Sequence, residues 1–221
     1  MALILIVVMG LWASVGCTRK KAEEEYLLRV HNLTVTPAEF NQSVKAAMEE
    51  AFPGEQNVDP SLLNDLRMRV LTQVSEEMMI SAYAADQRIQ VSNEELDKAV
   101  ADIKSDYPDN TFEETLLENA ISFDFWRKQL AMRLLVEKVI NKELVLPVQI
   151  SSEDIAEYVK TNYPDGIPQD QNADEFNQKI IKHLRQQKAE MAYKEWIEGL
   201  RKKYPVDINH QAWERLAGGA S

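Results

Sequence analysis

Cysteine is nearly absent: the 221-residue chain has one, Cys17. A single thiol rules out an internal disulfide, a Cys-x-x-Cys redox pair and a thiolate zinc cage. Histidine is almost as scarce, and His31, His183 and His210 lie far apart with no His-Glu-x-x-His spacing, so no zinc site is expected. The seven glycines form neither a Gly-x-Gly-x-x-Gly nor a Walker pattern, which leaves nucleotides without a phosphate cradle and ATP-driven work without a basis. No cofactor is implied. Positive charge is also short, with 25 Lys and Arg against 36 Asp and Glu and a net charge of -11. A surface that tracks phosphates needs the opposite balance, so no nucleic-acid partner is expected. Neither a fixed-period repeat nor a low-complexity tract appears.

What is present begins with an apolar leader. From Met1 to Thr18 there is no charged side chain, "ALILIVV" has the length of a signal-peptide core, and Ser14, Val15 and Gly16 lead into Cys17. Small residues directly before a cysteine resemble a bacterial lipoprotein signal, in which cleavage precedes the Cys and its thiol carries diacylglycerol. Two features depart from that pattern: Ser14 stands where Leu is preferred, and no Lys or Arg precedes the apolar run. The alternative is an uncleaved anchor, because 18 uncharged residues reach the lower edge of the spanning range, although Gly10 and Gly16 suit a span poorly. The expected organisation is a signal over 1–16, a polar tether over 17–27, a folded body over 28–209 and a tail over 210–221.

Within the body, "YLLRVHNLTVT" alternates apolar residues around His31 and Asn32, which predicts a hairpin with Asn32 at the left-handed turn position. Helices follow. Thr36 with Glu39, Ser92 with Glu95, Thr111 with Glu114 and Ser151 with Asp154 each place a hydroxyl three residues before a carboxylate, the pattern that satisfies orphan N–H groups at a helix start. Pro37 and Pro60 fit first-turn positions, so the first two helices are expected to start at Thr36 and Asp59. Along the second, Leu63, Leu66, Val70, Val74 and Met78 form one apolar stripe that must be buried. Further helices are predicted over 92–106, 111–120, 122–144, 151–162 and 173–203. After the last, Val206 and Ile208 can pair back against the strand near Val30, joining the two ends of a mainly α fold.

Several of these segments resemble the SurA-like periplasmic chaperone family. In "VHNLTVTPAEF" the matching residues are Val35, Thr36, Glu39 and Phe40, and in "AADQRIQVSNEELDKAVADI" they are Val91, Ser92, Glu95 and Leu96, with Arg88 where the family usually has glycine. "FEETLLENAISFDFWRKQLAMRLLVEKV" is similar through Phe112, Leu116, Ile121, Ser122, Phe125, Arg127 and Leu130, and the closing pieces through Tyr193, Trp196, Leu200, Arg201, Val206 and Ile208. Relatives usually carry a parvulin prolyl-isomerase domain before the final long helix; here "YPDGIPQDQNAD" fills that place, too short for a packed domain.

The resemblance implies a SurA N-terminal-like helical body that is not an enzyme. It implies an ATP-independent holdase in the bacterial envelope, binding unfolded or extended segments of secreted or outer-membrane proteins. Membrane contact is expected through lipid on Cys17, with Thr18 favouring outer-membrane sorting by the enterobacterial rule. Alternatives are a non-catalytic adaptor of an envelope assembly and, third, a degenerate prolyl isomerase. Met68, Met78, Met79 and Met132, with Phe123, Phe125 and Trp126, are candidates for a client groove, since flexible thioethers repack around varied apolar surfaces. The competing role for the same residues is ordinary core. Adjacent carboxylates such as Glu76 and Glu77 point to different sides of a helix and form a solvated face rather than an acid/base dyad.

Overall fold

The computed structural model describes residues 25–55, 57–108, 111–119, 121–164 and 172–218; Cys17 and the expected signal lie outside them. Strands β1 (Leu28–Val30) and β2 (Leu33–Val35) form the hairpin, with Leu28 opposite Val35 and Val30 opposite Leu33. Leu28 and Val30 point into the core while Arg29, between them, faces out, as strand alternation requires. The left-handed residue of the turn is His31 (φ 51°), not Asn32. Its imidazole stands edge-on to the buried Tyr204, with ring centroids 5.6 Å apart, a contact that favours placing the imidazole at the strained position.

Helices α1 (Pro37–Ala51) and α2 (Pro60–Asp86) begin where the prolines predict. Thr36 and Glu39 close a reciprocal capping box, and the Asp59 carboxylate accepts from the Ser61 N–H at 2.8 Å. Ser92 and Ser151 do the same with Glu95 and Asp154 at the starts of α3 (Asn93–Ser105) and α6 (Ser152–Asn162). The fourth expected box does not form. Thr111 lies inside α4 (Thr111–Glu118), and its hydroxyl donates to the Pro108 carbonyl at 2.7 Å. Helix α5 (Phe123–Ile140), capped by Ser122, gives way to a π-helical turn at Asn141–Val145 rather than continuing as α-helix to 144. Helix α7 (Ala173–Lys203) has 31 residues and so runs roughly 46 Å.

Strand β3 (Asp207–Ile208) pairs antiparallel with β1 on the side away from β2, giving the order β2-β1-β3 and joining the two ends of the body. Ile208 sits opposite Leu28 and Asp207 opposite Arg29, whose guanidinium donates to Asp207 Oδ2 at 2.7 Å. The stretch after Asn209, expected as a tail, instead carries helix α8 (His210–Gly218). The Asn209 side chain accepts from the Ala212 N–H, Ala212 is 1% exposed, and Trp213 meets Phe40 of α1 edge-on at 5.8 Å. An amphipathic turn with a buried alanine and an aromatic anchor belongs to the core rather than to solvent.

The main core surrounds α2. Val70, Val74, Met78 and Met79 pack with Leu28 and Val30 of the sheet, Phe40 of α1, Val139 of α5, and Ile197, Leu200 and Tyr204 at the end of α7. The Tyr204 hydroxyl donates to Asp86 Oδ2 at 2.7 Å, tying the C-terminal end of α7 to that of α2. A second, smaller cluster joins Phe176, Ile180 and Leu184 in the first half of α7 to Ile155, Tyr158 and Val159 of α6. Helix α7 thus spans both clusters.

Candidate functional site

Helices α2 and α5 pack against each other, and a depression lies between the C-terminal end of α2 and α5, where one chain reversal shapes the opening. The Ile89 N–H donates to the Ala84 carbonyl at 2.8 Å and the Arg88 N–H to the Ala85 carbonyl at 3.2 Å, while Arg88 adopts φ 54°. This is the double-bonded helix stop in which a left-handed residue turns the chain sharply. Glycine usually fills that position because it has no Cβ to clash. The reversal sends Ile89, Gln90 and Val91 back along the gap, and the resulting depression has a volume of about 850 Å3. Ala84, Ile89, Val91, Ala131, Met132 and Leu135 give it an apolar floor and walls, with Arg88 and Lys128 among the lining residues.

A smaller depression of about 370 Å3 opens between β2, α1, α2 and the start of α5. Val35, Val74, Met78, Phe125 and Met132 supply its apolar surface. Both depressions share Lys128 and Met132, so the Met132 side chain stands between them as a flexible divide. The Ser81 hydroxyl donates to Met132 Sδ at 3.3 Å. Together they make a groove along α5.

Three of the seven expected groove residues meet here: Met78, Phe125 and Met132. Met78 is itself a core residue, 5% exposed, that reaches the edge of the smaller depression, whereas Met79, 1% exposed, faces the core alone, as adjacent residues of a helix point to different sides. Met68, 46% exposed, lies in a separate shallow depression with Arg69, Thr72 and Glu76. Phe123 and Trp126 line neither depression of the groove. They build an aromatic brace with Phe112 of α4: Phe112 and Trp126 meet edge-on at 4.8 Å, Phe123 and Trp126 stack at 5.7 Å, and the Lys104 ammonium lies 5.0 Å from the Phe123 ring centroid. That brace fixes the start of α5. Arg88, Ile89, Lys128 and Leu135 were not among the expected site residues, and the one visible signal was an arginine where the related pattern has glycine.

The two halves of the groove differ in charge. Among the described residues the larger is lined by Arg88 and Lys128 and by no carboxylate, whereas in the smaller Glu39, Glu77 and Asp124 outnumber the shared Lys128. Burial pushes the Glu77 carboxyl above the usual carboxylate range, against the opposing pull of a hydrogen bond from the Gln73 amide and the nearby Arg133 charge. Among the described residues no group of His, Cys, Asp or Glu is arranged to hold a metal ion, and no helix is long and apolar enough to cross a membrane.

Residues 1–140 match the family model of the SurA-like N-terminal domain. The chain belongs to that family. The matched span closes at Ile140, the last residue of α5, so both walls of the groove lie inside the SurA-like unit while α6, α7 and α8 lie beyond it. No curated protein matches the chain. The SurA-like family is of periplasmic chaperone type, which points this chain toward the envelope.

The raised Glu77 carboxyl has a stability consequence of definite sign. The folded chain holds this proton more tightly than the unfolded chain, so ionisation of Glu77 lowers stability as pH rises from the ordinary carboxylate range through the raised folded value. Glu77→Gln removes that loss. Urea midpoints are expected to favour the variant at pH 7, with the advantage fading as pH falls below the ordinary carboxylate range; a variant less stable than the parent at pH 7 contradicts the assignment.

Proposed function

We propose that this SurA-like chain is an ATP-independent holdase of the bacterial envelope, and that the groove along α5 receives extended apolar segments of unfolded secreted or outer-membrane proteins. The observation that carries the reading is the open apolar depression of about 850 Å3 adjoining a second one at Met132, within a SurA-like N-terminal domain. An open groove walled by alanine, leucine, isoleucine and methionine offers dispersion and area burial with little demand for a particular side-chain shape, which suits varied clients. Capture lowers the free concentration of the unfolded chain and with it the rate of aggregation, without nucleotide turnover. Helix α6 ends at Asn162 and α7 begins at Ala173, and so short a link supports a body without an inserted isomerase.

The uncharged leader and the small residues before Cys17 support a lipid tether that would hold this body at the membrane, facing the periplasm. The mass of the chain extracted from membranes tests that part: a terminus at Cys17 bearing diacylglycerol is expected, and an unlipidated chain with Met1 intact contradicts it.

The holdase reading is tested by light scattering of several unrelated, chemically unfolded proteins diluted into buffer with the chain at stoichiometric amounts. Protection of most of them is expected. Met132→Lys, placed at the divide of the groove, should weaken protection roughly tenfold in effective concentration while leaving the far-ultraviolet circular dichroism unchanged, as loss of one buried apolar side chain from each complex requires. Protection of none, with one stable co-purifying protein, would instead indicate an adaptor whose groove is permanently filled.

A further inference from the structure

The larger half of the groove carries a charge pattern that client capture by apolar contact does not require. The chain as a whole is strongly acidic, yet among the described residues that line this depression Arg88 and Lys128 are the charged ones and none is a carboxylate. Neighbouring cations are committed elsewhere: Lys138 holds Glu95 at 2.6 Å and Arg127 holds Asp97 at 2.6 Å, both bracing α5 against α3. The Arg88 and Lys128 side chains make no hydrogen bond or ion pair among the described residues.

Arg88 also occupies a left-handed backbone position, where an L-residue costs about 1–2 kcal/mol that glycine avoids. Its guanidinium is not needed to finish α2, since the Ala84 and Ala85 carbonyls already accept from the Ile89 and Arg88 N–H groups. A strained, exposed and unpartnered arginine beside an apolar depression is accounted for if its charge meets something that binds there.

We propose that the groove selects extended polypeptide segments in which apolar side chains stand next to an acidic one, with the carboxylate held between Arg88 and Lys128. The inference rests on the holdase reading and adds a chemical preference to it. A polypeptide is the fitting occupant because the depression adjoins its neighbour at Met132, which lines both, so an extended chain crossing Met132 touches both halves. Its volume of about 850 Å3 lies in the upper part of the range that encloses drug-sized ligands and can take several residues. The second half, where Glu39, Glu77 and Asp124 outnumber the shared Lys128, disfavours a further carboxylate, while Arg88 lines the first half alone, and this asymmetry sets the direction in which the chain lies. The same arrangement draws acidic segments to one point of a surface that otherwise repels them.

The test is fluorescence anisotropy of the full chain with eight-residue peptides, acetylated and amidated at their ends, that share one apolar sequence and differ only in a central Glu, Gln or Lys. The Glu peptide is expected to bind at least about fivefold more tightly than the Gln peptide, with Lys weakest and the preference shrinking as salt rises, as a charge-assisted contact near the surface implies. Arg88→Gly, which relieves the backbone strain, and Lys128→Gln should each bring the Glu-to-Gln ratio toward one, whereas Lys202→Gln on α7 should leave it unchanged. Equal binding of the Glu and Gln peptides would overturn the preference and leave the holdase reading standing; binding of no peptide would overturn both. A preference that survives in both groove variants, or that palmitate abolishes at lower concentration than the peptide binds, would also overturn it.

Discussion

Burial of α2 is the constraint on which the other elements depend. The stripe running through Leu66, Val70, Val74 and Met78 cannot be covered by one neighbour, and Leu71, Met79, Ile80, Ala82 and Ala84 are buried as well. A helix apolar over so much of its circumference must be wrapped. The hairpin, α1, α5 and the end of α7 supply the cover, and β3 and α8 then fasten the wrap by pairing with β1 and packing on α1. Because α5 covers α2 incompletely, the same packing that makes the core also leaves the groove.

Charge plays a subordinate part in holding this arrangement. The ion pairs between elements, such as Lys188 with Asp154 and Lys138 with Glu95, are partly exposed and screened by solvent, so each contributes little to stability. They fix which helix faces which. The Lys188 pair and a hydrogen bond from Ser151 hold the Asp154 carboxyl below its usual range, so these contacts persist through neutral pH. Against that background Arg88 and Lys128, which make no ion pair among the described residues, stand out in an apolar depression as available for a ligand.

Local chemistry was legible in the sequence wherever it acts over three or four residues. Thr36, Ser92 and Ser151 cap the helices they precede, because a hydroxyl and a carboxylate three positions apart need only each other and the backbone. Thr111 failed the same rule since it is already the first residue of α4 rather than the residue before it. The pairing of Ile208 with the hairpin was visible from alternation alone, but α8 was not: its helix-stabilising contacts, Trp213 on Phe40 above all, come from α1, distant in the chain. The groove was half legible. Met78, Phe125 and Met132 follow from composition, whereas separating them from Met79 and Trp126 requires knowing which side of α2 and α5 meets a neighbour. Arg88 was visible only as a departure from glycine, and the left-handed backbone it adopts there is a property of the folded turn rather than of local composition.

The proposed client path crosses Met132. Site-specific photocrosslinking tests this most directly, with a photoreactive residue at position 132 or, for comparison, at position 191 on the exposed surface of α7. In the presence of a chemically unfolded outer-membrane protein, position 132 should yield the crosslinked product and position 191 should yield little. Equal yields at both positions, or none at 132 while aggregation is still suppressed, would contradict the groove as the place where clients are held.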